Sequence, residues 1–352
     1  MGSAAYFLVA EALTNIVKHS GAEHATITLA RAGALVIEVE DEGTGLAGIR
    51  RRAAFDGTTM LSSPAGGPTL LRVELPYEGK PVTRPTNWGG QDGAFWAAND
   101  LRYDALLAPL TRHLLPAADI RPDDRVLDVG CGCGNTTRLA GRAARDGWAL
   151  GVDLSGPMLA TARQRAAEAG LTNVRYERGD AQRTPFDTVD LVLSQLGVMF
   201  FDDPVEAFTN LHRSLAPGGR LAFVCWQAFE LNEGRVLRRE ALSRYVTVPP
   251  PRVTGALSFA EPARLREVLT AAGFGDIELT DVREPLVVGS TAEAATAFDL
   301  GDPTVREWLT EAGPAAAARA TEALREAYAA RETPDGVVLG SAAWLVTAAA
   351  HI

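Results

Sequence analysis

Cysteine is scarce in this chain, which contains three cysteines among 352 residues. Cys131 and Cys133 are too close together for an unstrained disulfide bond, and Cys225 lies far from both in sequence. This usage argues against a disulfide framework and favours a reducing compartment. A C-x-C pair can bind metal, but no further cysteine or nearby histidine completes such a site, so no metal centre is predicted.

Excess positive charge and long apolar segments are also missing. The formal net charge is -10, which argues against nucleic acid as a partner. No segment approaches the roughly 18 uncharged residues that a membrane-spanning helix needs, and the apolar residues 6–10 lack a basic leader. We therefore expect a cytoplasmic protein of small-molecule metabolism without nucleic-acid or membrane partners. The sequence leaves the oligomeric state open, a homodimer included.

A polar segment that contains two prolines, residues 78–87, is the predicted linker between two unequal parts. Residues 1–77 have the pattern of a small α+β segment. Its predicted helices are 6–19 and 46–54, and its predicted strands are 25–30, 34–40 and 69–75.

The larger part, residues 88–352, alternates between helix and strand patterns. Its predicted strands are 125–129, 149–152, 174–177, 189–194 and 220–225, and its predicted helices are 98–115, 135–145, 156–169 and 204–215. Repeated βα units predict an α/β, Rossmann-like fold with a mostly parallel sheet and helices on both faces. Residues 227–258 and 285–335 are predicted to be helical insertions that cap a pocket.

A glycine-rich turn follows the first of these strands, and its spacing is Asp128-x-Gly130-x-Gly132-x-Gly134. The next apolar run ends in Asp153, about 20 residues on, where a ribose-binding carboxylate is expected. A dinucleotide fingerprint requires a further glycine three residues after its second glycine, but asparagine or threonine stands there. The pattern therefore predicts a nucleoside cofactor that has no pyrophosphate.

These motifs resemble those of class I S-adenosylmethionine-dependent methyltransferases. The resemblance covers roughly residues 88–352 and is closest to small-molecule enzymes related to quinone C-methyltransferases. It implies a seven-stranded sheet whose sixth strand follows Ala271-Ala272-Gly273-Phe274 and whose antiparallel seventh strand spans 341–348. It also implies S-adenosyl-L-methionine as the cofactor.

The same resemblance implies site residues on the matching positions. Asp153 would bind the ribose hydroxyls, Met158 would pack on adenine, and Asp180 would accept from the adenine amino group. The full set of predicted cofactor-binding residues is Asp128, Gly130, Cys131, Gly132, Gly134, Asp153, Leu154, Met158, Asp180, Ala181, Gln195 and Tyr103.

Substrate contacts are predicted before the first strand, after strands four and five, and in the cap. The residues are Trp96, Asn99, Phe200, Trp226 and Tyr245. No catalytic base is assigned, because methyl transfer is an in-line displacement for which alignment can suffice. His113 and His212 lie within predicted helices, and we interpret both as structural.

Residues 1–77 resemble the ATP-binding half of sensor histidine kinases. Asn15 stands in a segment similar to the asparagine box, and Asp41-x-Gly43-x-Gly45 is similar to the first glycine box. The lid between the glycine boxes and the helix with the phosphorylatable histidine are both missing from the pattern, so we interpret this part as a degenerate remnant.

The prediction for the whole chain is S-adenosylmethionine-dependent methyl transfer to a carbon, nitrogen or oxygen nucleophile of a small metabolite. The alternative is a nucleotide-binding regulatory protein whose methyltransferase-like domain only senses the methyl donor. Methyl incorporation into a metabolite distinguishes the two, because only the first hypothesis requires it.

Overall fold

The computed structural model describes residues 25–31, 35–41, 58–62, 69–75, 86–249 and 255–350. The chain separates into two compact units, Met1–Thr83 and Arg84–Ile352. The division falls inside the segment 78–87 that the sequence predicts as a linker. Within the described residues, no helix is both long and apolar enough to cross a membrane.

The smaller unit contains a four-stranded antiparallel sheet. Its strands are β1 (Ala25–Arg31), β2 (Leu35–Asp41), β3 (Thr58–Ser62) and β4 (Thr69–Leu75), in the order β1-β2-β4-β3. Three of them coincide with predicted strands, whereas β3 was missed because it has five residues and no clear alternation. The predicted helices 6–19 and 46–54, and Asn15, lie outside the described residues, so the kinase-type assignment stays a prediction.

The larger unit is built on one main sheet. Its strands are β5 (Arg125–Val129), β6 (Trp148–Asp153), β7 (Val174–Arg178), β8 (Val189–Gln195), β9 (Leu215–Trp226), β10 (Phe274–Gly289), β11 (Glu332–Thr333) and β12 (Gly336–Ala350). Seven of them form the order β7-β6-β5-β8-β9-β12-β10, and the short β11 pairs with β12. Strands β5 to β9 pair in parallel, while β12 is antiparallel to both neighbours. The predicted fold class is confirmed.

Helices cover both faces of this sheet or form the cap. They are α1 (Gln91–Ala98), α2 (Asp100–Ala118), α3 (Asn135–Ala143), α4 (Gly156–Glu168), α5 (Pro204–Ser214), α6 (Glu233–Ser243), α7 (Pro262–Ala271), α8 (Ala292–Gly301), α9 (Pro303–Ala312) and α10 (Pro314–Ala329). The central strands are continuous apolar runs because both of their faces are covered. Val126, Leu127 and Leu193, for example, have no exposed surface.

The cap has an apolar core of its own. Leu242 from α6, Val305 from α9, and Leu324 and Tyr328 from α10 are buried there together with Leu339 of β12. Strands β10 and β12 run further than predicted because their ends continue from the main sheet into this second core. The predicted helical insertions are therefore present, and a packed layer holds them over one edge of the sheet.

Candidate functional site

The glycine turn between β5 and α3 depends on backbone conformations that favour glycine. Gly130, Gly132 and Gly134 have φ angles of +65°, +54° and +76°. The amide of Gly130 donates a hydrogen bond of 2.8 Å to the carbonyl of Val152. A Cβ at Gly130 would lie 2.7 Å from the Cα of Gly197. The turn thus requires glycine both for its conformation and for the close approach of a neighbouring loop.

Asp128 lies beneath this turn and does not line the cavity described below. Its Oδ2 accepts hydrogen bonds of 2.6 Å from the hydroxyls of Thr136 and Thr137, in the first turn of α3. Burial raises the pKa of Asp128 to about 6, against the effect of these hydroxyls. The carboxylate of Asp128 thus ties the turn to the helix, and its predicted contact with the cofactor stays a prediction.

Asp153 connects the end of β6 to the glycine turn. Its Oδ2 accepts from the amide of Gly132 at 2.9 Å, and its Oδ1 accepts from the amide of Ser155 at 2.8 Å. The residue is 9% exposed and lines the cavity, and burial raises the pKa of its carboxyl group. Each oxygen retains a lone pair beyond these bonds, so the carboxylate can accept further donors from the cavity.

One cavity of about 480 Å³ begins at this carboxylate. Predicted cofactor residues that line it are Gly130, Gly132, Asp153, Leu154, Met158, Asp180, Ala181, Gln195 and Tyr103. Leu154 is 47% exposed, whereas Met158 is 3% exposed and lies 3.7 Å from the position that a Cβ on Gly132 would take. At this end the cavity therefore offers the carboxylates of Asp153 and Asp180 and the apolar side chains of Leu154 and Met158 beside the backbone of the glycine turn.

Aromatic side chains form the wall of the cavity next to the glycine turn. The rings of Trp96 and Tyr103 are stacked, with centroids 3.6 Å apart and planes 1° from parallel. Trp88 contacts the ring of Phe200 edge-on at 5.0 Å. All four line the cavity, and so does Trp226 at the end of β9. Three of the five predicted substrate contacts, Trp96, Phe200 and Trp226, are thus brought together.

Two predicted substrate contacts are not at the cavity. Asn99 falls between α1 and α2, where its side-chain amide donates to the carbonyl of Phe95 at 2.8 Å. Tyr245 follows α6 and is 41% exposed, and the guanidinium of Arg319 lies 5.4 Å from its ring centroid. Neither residue lines the cavity, and their roles as substrate contacts stay predictions.

Cys131 and Gly134 also do not line the main cavity. The Cys131 side chain is buried and lines a smaller cavity of about 70 Å³, and burial raises the pKa of its thiol. Gly134 is the N-cap of α3, and its carbonyl accepts from the Tyr176 hydroxyl at 3.4 Å. Both residues shape the turn, and their contacts with the cofactor stay predictions.

Neither histidine interpreted as structural lines the cavity. His113 pairs with Glu284 of β10, with Nε2 and Oε1 2.6 Å apart. The His212 ring contacts Phe274 edge-on at 5.0 Å.

The cap contributes a charged group to the cavity that was not predicted from the sequence. Arg238 of α6 pairs with Asp299 of α8 at 3.3 Å, and the Tyr328 hydroxyl donates to the same carboxylate at 2.5 Å. Arg235, one turn earlier on α6, lines the cavity with them. The spacing of the two arginines indicates a shared helix face. Nothing in the local sequence indicates that this face is directed at the cavity.

Comparison with known proteins finds similarity to methyltransferases. Residues 126–219 match a family described as methyltransferase domain. An uncharacterised protein of Mycobacterium tuberculosis is 38% identical over 137 residues, which are 38% of this chain and 49% of that protein. Nocamycin O-methyltransferase of Saccharothrix syringae is 29% identical over 244 residues, which are 64% of this chain and 86% of that enzyme. The YcgJ protein of Bacillus subtilis, a solved structure, has a TM-score of 0.47 and 20% identity, and the likeness covers 70% of this chain and 99% of that one.

The similarity of residues 126–219 to a methyltransferase domain supports the predicted enzyme class and S-adenosylmethionine as the cofactor. The matched residues run from β5 to the turn within β9 and include both Asp153 and Asp180. The chain spans about half the length of the mycobacterial relative. The likeness to quinone C-methylating enzymes stays a prediction, because the match covers neither the cap nor residues 1–77.

Proposed function

We propose that this protein transfers the methyl group of S-adenosylmethionine to a nucleophile of a small, partly apolar metabolite. The observation that carries the proposal is the cavity of about 480 Å³, which joins the glycine turn and Asp153 to the aromatic and charged residues under the cap. One cavity in contact with both sets of residues can hold a donor and an acceptor side by side.

The residues at one end of the cavity fit an adenosyl group. Asp153 has lone pairs for ribose hydroxyls, and Asp180 lines the cavity where an amino group of the base could donate to it. Leu154 offers an exposed apolar side chain for the base. The positive φ angle at Gly132 leaves the backbone open to close approach.

The bound cofactor supplies an electrophilic methyl group on a sulfonium. The contribution of the chain is to align the acceptor with that methyl group and to exclude water. Alignment of this kind is worth about 7–11 kcal/mol in favourable cases. The stacked rings of Trp96 and Tyr103 form a rigid wall for this purpose, and aromatic faces near a sulfonium add about 1 kcal/mol.

The nucleophile is an oxygen, nitrogen or carbon atom. The name of the Saccharothrix relative, an O-methyltransferase aligned over 64% of this chain, favours oxygen. The apolar part of the lining, with Leu107, Leu286 and Phe298 among its members, favours a compact acceptor with a substantial apolar surface.

Binding and turnover test the proposal separately. We expect S-adenosylhomocysteine to bind to the full chain in a calorimeter, and Asp153→Ala to weaken that binding by about 10-fold or more, because each hydrogen bond to a carboxylate contributes about 1.5–3 kcal/mol. Asp146→Ala is the matched control, since Asp146 lies on the surface beside Arg145.

Turnover is measured as radiolabelled methyl groups that pass from the cofactor into a metabolite extract. Binding without any incorporation would support the alternative of a methyl-donor sensor. No binding at all, with Asp153→Ala indistinguishable from the original chain, would refute both hypotheses.

A further inference from the structure

Arg235 holds a positive charge inside the part of the cavity that the cap covers. It belongs to α6 and lines the cavity, and its guanidinium carbon lies 5.5 Å from the ring centroid of Trp226. Trp226 ends β9, whereas the glycine turn follows β5, two strands away in the sheet. Two strand spacings amount to about 10 Å, so Arg235 is placed toward the acceptor side.

Among the residues that the structure describes, the charge of Arg235 has no carboxylate partner, in contrast to that of its neighbour. Arg238 pairs with Asp299 and also experiences the field of Asp302. Within residues 86–249 and 255–350, no carboxylate forms an ion pair with Arg235. Burial and the like charge of Arg238 lower the pKa of Arg235 to about 10, so the guanidinium stays protonated at neutral pH.

An enclosed charge without a partner is unfavourable, because the protein replaces only part of its hydration. The Trp226 ring supplies a weak attraction, which does not substitute for an anion. A ligand that brings the missing negative charge offsets this cost, since a guanidinium binds planar oxyanions through two parallel hydrogen bonds.

We infer that the acceptor is an apolar molecule that carries an oxyanion, such as a carboxylate, and that Arg235 binds this oxyanion beside Trp226. The identification of this ligand as the methyl acceptor rests on the proposed function. The surrounding side chains agree with it, because Leu286, Val288 and Leu339 offer apolar walls. The other arginine of the lining, Arg238, is already paired with Asp299, and Asp302 accepts from the amides of Thr304 and Val305.

A pair of fluorescent probes that differ by one oxyanion tests the inference. Anilinonaphthalene sulfonate carries a sulfonate on an apolar aromatic body, and N-phenylnaphthylamine has a similar body without it. Both are titrated into the full chain and into Arg235→Gln, Arg235→Lys and Arg244→Gln. The last variant is the matched control, because Arg244 also belongs to this segment of the cap but is exposed and does not line the cavity.

We expect Arg235→Gln to weaken binding of the sulfonate by about 10-fold or more, the usual effect of losing a charged hydrogen-bonding partner. Binding of the neutral probe should change by less than about 2-fold, and Arg235→Lys should recover part of the affinity because it restores the charge but not the planar fork. Arg244→Gln should leave both affinities unchanged. If Arg235→Gln does not fold, Arg235→Lys still tests the inference through a smaller loss that is confined to the sulfonate.

Three results would overturn the inference. The first is an equal effect of Arg235→Gln on both probes, and the second is no effect on either. The third is a loss of S-adenosylhomocysteine affinity as large as the loss for the sulfonate, which would assign Arg235 to the cofactor carboxylate. These outcomes are distinct from failure of the proposed function, which is shown by absent cofactor binding in the unaltered chain.

Discussion

The substitution Gly132→Ala, which adds one methyl group, tests whether the cofactor binds beside the glycine turn. Gly132 has a φ angle of +54°, and its amide donates to Asp153. A Cβ there would meet only Met158 Sδ, at 3.7 Å, which is an ordinary contact. Gly170 has a φ angle of +65° and no atom within 4 Å of a Cβ. The two glycines thus share a backbone conformation, but only Gly132 lines the cavity.

The two alanine variants should lose similar stability and differ in binding. A left-handed conformation costs a residue with a side chain about 1–2 kcal/mol. The stiffer unfolded chain of alanine offsets about 0.4–1 kcal/mol of this. The net loss of roughly 1 kcal/mol corresponds to a decrease of about 2–4 °C in Tm for a unit of this size. In Gly132→Ala alone, the added Cβ also intrudes on a close contact with the ligand. This should cost a further 1–3 kcal/mol of binding free energy, or about 5- to 150-fold in Kd.

The assay combines thermal unfolding of the full chain with calorimetric titration of S-adenosylhomocysteine. Gly156→Ala is a third variant, because Gly156 begins α4 and has open space around a Cβ without a left-handed φ angle. It should not lose stability. Equal Kd values for Gly132→Ala and Gly170→Ala would refute the assignment of the glycine turn to the cofactor, whatever the Tm values.

Three further predictions concern other parts of the site. Burial raises the pKa of Asp128 from its ordinary value of 3.8 to about 6 in the folded state. The protonated carboxyl group therefore adds stability in full below pH 3.8, and this contribution is lost as the pH rises through 6. Denaturant titrations should therefore show the original chain gaining about 1 kcal/mol over Asp128→Asn between pH 7 and pH 5, and parallel pH profiles would contradict this. Leu154→Ala should weaken S-adenosylhomocysteine binding by about 10-fold with less than about 1 kcal/mol lost in stability, whereas Leu101→Ala, at a residue that is 60% exposed, should leave binding unchanged. Tyr328→Phe removes the hydroxyl that donates to Asp299, and it should cost about 1 kcal/mol in unfolding free energy without changing cofactor Kd; a change in Kd would extend the cofactor site into the cap.

The parallel core of the fold could be predicted because its signals are local. Strand β5 is an apolar run that ends in an acid and a glycine turn, and its predicted bounds 125–129 agree with Arg125–Val129. The sequence also predicts that the glycine turn after β5 lies close to the acid at the end of β6, because the carboxyl ends of parallel strands meet at one edge of the sheet. Gly132 and Asp153, 21 residues apart, are hydrogen-bonded there.

The segment before the first strand is not one continuous helix. Trp96, Asn99 and Tyr103 lie at helical spacing in the sequence, but α1 ends at Ala98 and α2 begins after Asn99. The amide groups of Asn99 donate to the carbonyls of Phe95 and Trp96 at the junction. Asparagine competes for backbone partners in this way, so the helical period was interrupted although the two aromatic rings still stack.

The residues of the sequence by themselves determined the sheet, the glycine turn and the acid that faces it, because each depends on neighbours within one βα unit. Only the tertiary structure decided which cap side chains face the cavity. Arg238 pairs with Asp299, 61 residues further along the chain. The packing of α6 against α8 and α10 leaves Arg235 without a carboxylate among the described residues. Such a difference depends on contacts between distant segments, which local periodicity does not encode.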